Sequence, residues 1–159
     1  MLPLGKIIQA IPSPERLLGF AGLIPFWGLA FIVIFADDPV SSNALKAQIA
    51  YGAIILSFLG GTHWGTAAQN IEKATWLRMG WGVTLSLIGW CAIFISPIYA
   101  LALLSLSLFA AIVVDLRLID ALGYASWYKS LRLILSFGAI TALFFVLLYL
   151  SLIAPPHRS

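Results

Sequence analysis

The chain has 159 residues, of which 62% are hydrophobic and 9% are charged, and its mean hydropathy is +1.02. A composition this apolar excludes an ordinary soluble domain and predicts an integral membrane protein. The net charge of +3 comes from basic residues that form no cluster, which argues against nucleic-acid binding, and the single cysteine excludes an internal disulfide.

The first predicted element is a membrane-spanning helix over residues 17–36, which is free of charge between Arg16 and Asp37. About 20 apolar residues suffice to cross the hydrocarbon core. No small-residue cleavage site precedes Asp37, so we expect a retained span rather than a signal peptide. Gly22 and Pro25 predict a kink in this helix and a close contact with a neighbouring one.

The second predicted span, residues 45–68, contains the sequence SFLGGTHWG. Ser57, Gly61 and Gly65 recur every four residues with Ala53, so they share one face and predict a helix-packing stripe. The alternative is backbone exposed to a ligand or a pore. His63 lies about 200° round the helix from Gly61, away from the stripe. It is either hydrogen-bonded to a neighbouring helix or water, or it handles a proton or ligand.

The uncharged run that follows is too long for one span. It covers residues 79–114 and would reach about 54 Å as a single helix, against a core of about 30 Å. A turn near Ser96-Pro97 therefore predicts two spans, 76–96 and 98–117. Asp115 ends the second of these as a solvated acid, a structural ion pair, or a catalytic or transport group.

The last predicted span covers residues 131–153. The distribution of basic residues tests the total number of spans. Five spans place seven Lys and Arg on the side of the N-terminus and two opposite, whereas four spans place five against four. Cytoplasmic loops are enriched in Lys and Arg. The sequence thus predicts an all-α membrane bundle of five spans, a single domain over 1–159. Its N-terminus is expected in the cytoplasm, its C-terminus outside, and its location in a bacterial inner membrane.

Candidate functional residues gather near the predicted cytoplasmic ends of the spans. A polar cluster is predicted from His63, Arg78, Asp115 and Arg132. Candidate ligand-lining aromatics are Trp64, Trp81, Trp90 and Trp127.

Motifs for hydrolytic, phosphate-binding and redox chemistry are absent from the sequence. The second histidine, His157, falls on the opposite membrane side from His63. We therefore predict no catalytic residue, no metal site and no cofactor.

Several stretches carry a family resemblance. They are GFAGLIPF at 19–26, YGAIILSFLGGTHWG at 51–65, WYKSLR at 127–132, Trp90 and Asp115. Together they resemble the transmembrane protein 69-like family of multi-pass membrane proteins, a domain of unknown function. The resemblance implies a membrane location and a shared helical bundle, and it carries no activity.

Two functions stay open at the level of the sequence. The first is a structural, scaffold or assembly bundle that docks through its small-residue stripe. The alternative is a binder or carrier of a lipophilic ligand or proton that uses the cytoplasmic-side cluster. An intramembrane enzyme ranks below both. The expected partners are the lipid bilayer and other membrane proteins or a second copy of the chain, with no nucleic acid.

Overall fold

The computed structural model describes residues 11–69, 74–122 and 126–152, which form six helical segments and no strand. In chain order they are α1 (Ser13–Ala21), α2 (Leu23–Phe35), α3 (Val40–Gln69), α4 (Trp76–Ala92), α5 (Pro97–Leu122) and α6 (Ser126–Leu152). The all-α prediction is confirmed.

Helices α1 and α2 are one span with a break at Gly22. Pro25 lacks an N–H and its ring collides with the carbonyl four residues earlier, so the regular ladder cannot run through this point. The Tyr51 hydroxyl on α3 donates to the Gly22 carbonyl at 2.9 Å. A side chain of the neighbouring helix thus satisfies a backbone acceptor at the break.

Helix α3 lies at the centre of the bundle and packs against α2, α4 and α5, while α6 packs against α2 and α5. The core between them is built from buried leucine, alanine and valine, with Phe26 as its large aromatic side chain. Polar links tie α3 to α2. Gln48 Nε2 donates to the Phe26 carbonyl at 3.2 Å, and Ser41 Oγ donates to the Val33 carbonyl at 2.9 Å.

Helices α3 and α4 approach closely because small residues meet at their interface. A Cβ added to Gly82 would lie 2.6 Å from the Gly60 carbonyl oxygen, and one added to Gly89 would lie 2.8 Å from the Ala53 carbonyl oxygen. Backbone contact of this kind is typical of membrane helices packed through small residues. No side chain larger than hydrogen fits at Gly82 or Gly89 without moving the helices apart.

Among the described residues, four helices are long and apolar enough to cross a membrane. They are Ser13–Phe35, Val40–Ala68, Pro97–Leu118 and Trp127–Leu152. Helix α4 has 17 residues and so extends about 26 Å, slightly less than the hydrocarbon core. The long apolar run does divide as predicted, because α5 begins at Pro97. Four candidate spans are therefore found where the sequence predicts five.

Candidate functional site

Three helices bring four polar side chains together inside the bundle. They are His63 on α3, Asp115 on α5, and Arg132 and Ser136 on α6, which we call the polar cluster. Their exposed fractions are 1%, 5%, 6% and 3%, respectively. Charged side chains this deeply buried are rare unless they are paired.

Asp115 joins the other members of the polar cluster. Arg132 Nε donates to Asp115 Oδ2 at 2.7 Å, and His63 Nε2 lies 3.1 Å from Asp115 Oδ1. The histidine contact has the distance of an ion pair, although its ring N–H is not aligned for a regular hydrogen bond. Arg132 Nη1 also donates to Ser136 Oγ at 3.0 Å. The carboxylate thus has a partner on each oxygen.

Three nitrogens of the polar cluster make no regular hydrogen bond. Arg132 Nη2, His63 Nδ1 and His63 Nε2 are buried and have no hydrogen-bond partner among the described residues. An unpaired buried polar atom costs free energy that a suitable partner would recover. The polar cluster therefore carries this cost at three nitrogens.

The spacing on α6 explains how Arg132 is held. Ser136 follows it by four residues, so the two side chains lie on the same helical face one turn apart. The sequence analysis did not single out Ser136, although its position one turn beyond a predicted cluster arginine was a usable signal.

A cavity of about 360 Å³ adjoins the polar cluster, between α1, α2, α3 and α6. Its lining is mostly apolar and includes Leu18, Leu23, Phe26, Ile55, Leu59 and Leu131. Arg132 and Ser136 belong to the same lining. The cavity therefore combines an apolar body with two residues of the polar cluster.

The cavity runs along α6 from Trp127 to Ala139, about 18 Å at the usual helical rise. Leu18 and Phe58 lie on its rim with exposed fractions of 75% and 67%. Both side chains are largely exposed, so the cavity is open at this side of the bundle.

The four predicted aromatic residues lie in different places. Trp127 lines the cavity, whereas the other three are not among the described residues that line it. Trp64 is half exposed and donates from Nε1 to the Met79 carbonyl at 3.3 Å. Trp81 is partly buried against the core, and Trp90 is 60% exposed and packs edge-on against Phe94.

The residues predicted to pack helices together also lie in different structural environments. Gly22 lines the cavity beside Tyr51, and Pro25 lies in the first turn of α2. The Ser57 and Ser86 hydroxyls lie 3.0 Å apart across the α3–α4 interface. Gly61 and Gly65 face open space, with nothing within 4 Å of an added Cβ.

Arg78, the fourth predicted cluster residue, is buried in the first turn of α4. The ion-pair partners of Asp115 in the described part of the chain are His63 and Arg132. Within 11–69, 74–122 and 126–152, no three His, Cys, Asp or Glu side chains are grouped to hold a metal ion.

The apolar helices and the buried ion-pair cluster define a multi-pass helical membrane protein. More narrowly, residues 11–148 match the family model described as "Protein of unknown function (DUF3429)". The chain belongs to this family.

Two curated relatives are named "Transmembrane protein 69". The chain is 35% identical to the one from Xenopus tropicalis over 158 residues, 97% of this chain and 60% of the relative. It is 30% identical to the one from Mus musculus over 146 residues, 91% of this chain and 59% of the relative. The chain thus spans about 60% of the length of these relatives. No solved structure matches the chain.

Proposed function

We propose that the protein binds a lipophilic molecule in the cavity between α1, α2, α3 and α6, with Arg132 at the polar end of the site. The observation that carries this proposal is the apolar cavity itself, about 360 Å³ in volume, whose lining includes the buried polar residues Arg132 and Ser136. Ligand pockets typically combine an apolar wall with a few placed polar groups.

The size and lining of the cavity support a lipophilic occupant. Its volume of about 360 Å³ lies within the range of small-molecule pockets. Its lining extends along α6 from Trp127 to Ala139, which suits an elongated apolar tail rather than a compact polar solute. The exposed rim residues Leu18 and Phe58 favour entry sideways from the bilayer.

We also propose that α4 crosses the membrane as the fifth span. A 17-residue helix spans a hydrocarbon core when the bilayer thins locally by a few ångström. The end of the bundle with the polar cluster also carries Arg16, Arg78, Arg117 and Lys129, and on the positive-inside rule it faces the cytoplasm, as expected for a bacterial inner membrane.

Native mass spectrometry of the protein released from detergent micelles containing monoolein tests the binding proposal. We expect one monoolein per chain to survive the collision energy that strips detergent. Ala139→Leu should abolish this retention, because Ala139 is buried in the cavity lining and a longer side chain fills the space. Ala102→Leu on the exposed face of α5 is the matched control and should retain the lipid. Equal retention by both variants would contradict the proposal.

A second candidate function, scaffolding within a larger membrane assembly, is favoured by a separate observation. Gly61 and Gly65 lie one turn apart on α3 and face open space, so another helix could approach closely there. This candidate predicts that Gly61→Leu lowers recovery of a larger complex without changing monoolein retention. Unchanged migration of Gly61→Leu and the wild type on blue native gels would count against scaffolding.

A further inference from the structure

We infer that the cavity holds a single hydrocarbon tail of about fourteen carbons, with the methyl end of the tail at a closed floor and the head group at an open mouth. This inference rests on the proposed binding function and names the class of ligand, a single-chain lipid selected by the length of its tail. It follows from the direction of the helices around the cavity, from the exposure at its two ends, and from its dimensions.

Helices α1 and α2 run in the same direction as α6 along the cavity. A Cβ added to Gly19 would lie 3.2 Å from Leu131 Cδ1, and one added to Gly138 would lie 2.9 Å from Leu23 Cδ1. Earlier residues of α1 and α2 thus lie beside earlier residues of α6, and later residues beside later ones. The end of the cavity at which α1 begins is therefore also the end at which α6 begins.

The two ends of the cavity differ in exposure. The mouth, at the start of α1 and α6, is lined by Glu15, Leu18 and Trp127, and the Leu18 side chain is largely exposed. The floor, at the far end, is lined by Phe26 and Ala139, which are buried with exposed fractions of 1% and 3%. A hydrocarbon tail that enters through the mouth therefore stops at the floor.

The volume and the length of the cavity give nearly the same tail length. A cavity of about 150 Å³ accommodates one benzene molecule, at about 25 Å³ for each carbon, so about 360 Å³ accommodates about fourteen carbons. The lining extends about 18 Å along α6, and an extended chain advances about 1.2 Å per bond, which gives about fifteen bonds. The cavity therefore has the dimensions of one tail and no room for a second.

A series of monoacylglycerols with saturated tails from octanoyl to octadecanoyl tests this length. The full chain in detergent is mixed with equal amounts of each, and the retained molecules are identified by native mass spectrometry. We expect retention to rise by about tenfold or more from octanoyl to tetradecanoyl, because a short tail leaves part of the cavity empty. Longer tails should gain nothing further, since their additional carbons stay outside the mouth.

Opening the floor should lengthen the preferred tail. Phe26→Leu removes three carbon atoms from the floor, so retention should level off about three carbons later than in the wild type. Phe137→Leu is the matched control, because it makes the same change at an exposed position of α6 outside the lining. Leu108→Ala is a second variant, at a buried lining position of α5, and should shift the series in the same direction. Leu106→Ala, at an exposed position of α5, is its control.

A hydroxyl group on the last carbon of the tail tests which end of the ligand lies at the floor. Ser136 is the last polar residue of the described lining along α6, and Ala139 follows it. The hydroxyl of a 14-hydroxytetradecanoyl glycerol would lie against Phe26 and Ala139, and a hydroxyl buried without a partner is costly. We expect this probe to be retained about tenfold less than tetradecanoyl glycerol.

Three results would overturn the inference, and they are distinguishable. Retention that keeps rising to octadecanoyl, or that does not depend on tail length, would mean that no closed floor limits the tail. The wild-type series in both floor variants would mean that the tail does not reach Phe26 and Leu108. Equal retention of the hydroxylated probe would mean that the tail end lies in a polar environment. Failure of every monoacylglycerol, monoolein included, would instead remove the binding function itself.

Discussion

Helix α3 has two unlike sides. Towards α4, glycine and serine let two backbones touch, and the Gly60 carbonyl would lie 2.6 Å from a Cβ on Gly82. Towards α1, α2 and α6, larger side chains such as Ile55 and Leu59 surround a cavity of about 360 Å³. Residue size on the two faces of one helix thus separates a sealed interface from one with room for a ligand.

The comparison also explains where polar groups are tolerated. On the sealed side they are small hydroxyls, Ser57 and Ser86, that meet each other. On the open side they form a charged cluster in which Asp115 holds His63 and Arg132. The cavity leaves room for a ligand beside charged side chains, whereas the close-packed α3–α4 interface leaves none. The following substitutions test this contrast.

The largest effect is expected for Asp115→Ala. Removing the carboxylate leaves Arg132 buried without its countercharge, which typically costs about 3–5 kcal/mol. Thermal unfolding in detergent should show a strongly lowered midpoint. Arg117→Ala, two residues further along α5 on an exposed position, serves as the control and should be close to the wild type. A wild-type midpoint for Asp115→Ala would mean that the ion pair does not support the fold.

A smaller loss is expected for Gly60→Ala on the sealed side. The new methyl group would overlap the Gly82 backbone, and overpacking of this kind costs about 1–3 kcal/mol. Gly61→Ala is the matched control at the adjacent position, where nothing lies within 4 Å of an added Cβ. Alanine is the better helix former, so the Gly61 variant should be neutral or slightly more stable. Equal destabilisation by both variants would contradict the described α3–α4 contact.

The smallest effect is expected for the pair Ser57 and Ser86. Hydrogen bonds between membrane helices average about 0.6 kcal/mol in double-mutant cycles. A cycle of Ser57→Ala, Ser86→Ala and the double variant, measured by reversible unfolding in mixed micelles, should give a coupling of about that size. A coupling indistinguishable from zero would show that the 3.0 Å contact contributes little.

Much of this architecture could be predicted from the sequence. The charges at Arg16, Asp37 and Lys46 limit the apolar runs, and Pro97 does begin the helix that the run length required. The grouping of His63, Asp115 and Arg132 could also be anticipated, because the span ends place all three near one membrane side. These side chains pair because an unpaired charge is costly in an apolar medium, and the predicted spans already place all three at one level.

Other features depend on distances between helices that no single helix encodes. Periodicity identifies a stripe through Ala53, Ser57, Gly61 and Gly65. Ala53 and Ser57 do lie at the α3–α4 contact, but further along α3 the contact is made by Gly60, one residue or about 100° from Gly61. Which edge of a small-residue face meets a neighbour is set by where that neighbour lies. The cavity likewise arises from the separation of α1, α2 and α6 around α3, so the sequence could propose aromatic wall residues but could not choose Trp127 among four tryptophans.

Photo-crosslinking locates the lipophilic ligand that we propose in the cavity. A monoacylglycerol with a diazirine near the middle of its tail is bound to the purified protein, irradiated, and located by peptide mass spectrometry. The cavity site predicts labelling of Gly19, Leu135 and Ala139, competed by excess monoolein. Labelling centred on Phe109 and Phe137, which are exposed on the outer surface of α5 and α6, and unaffected by competitor, would contradict it.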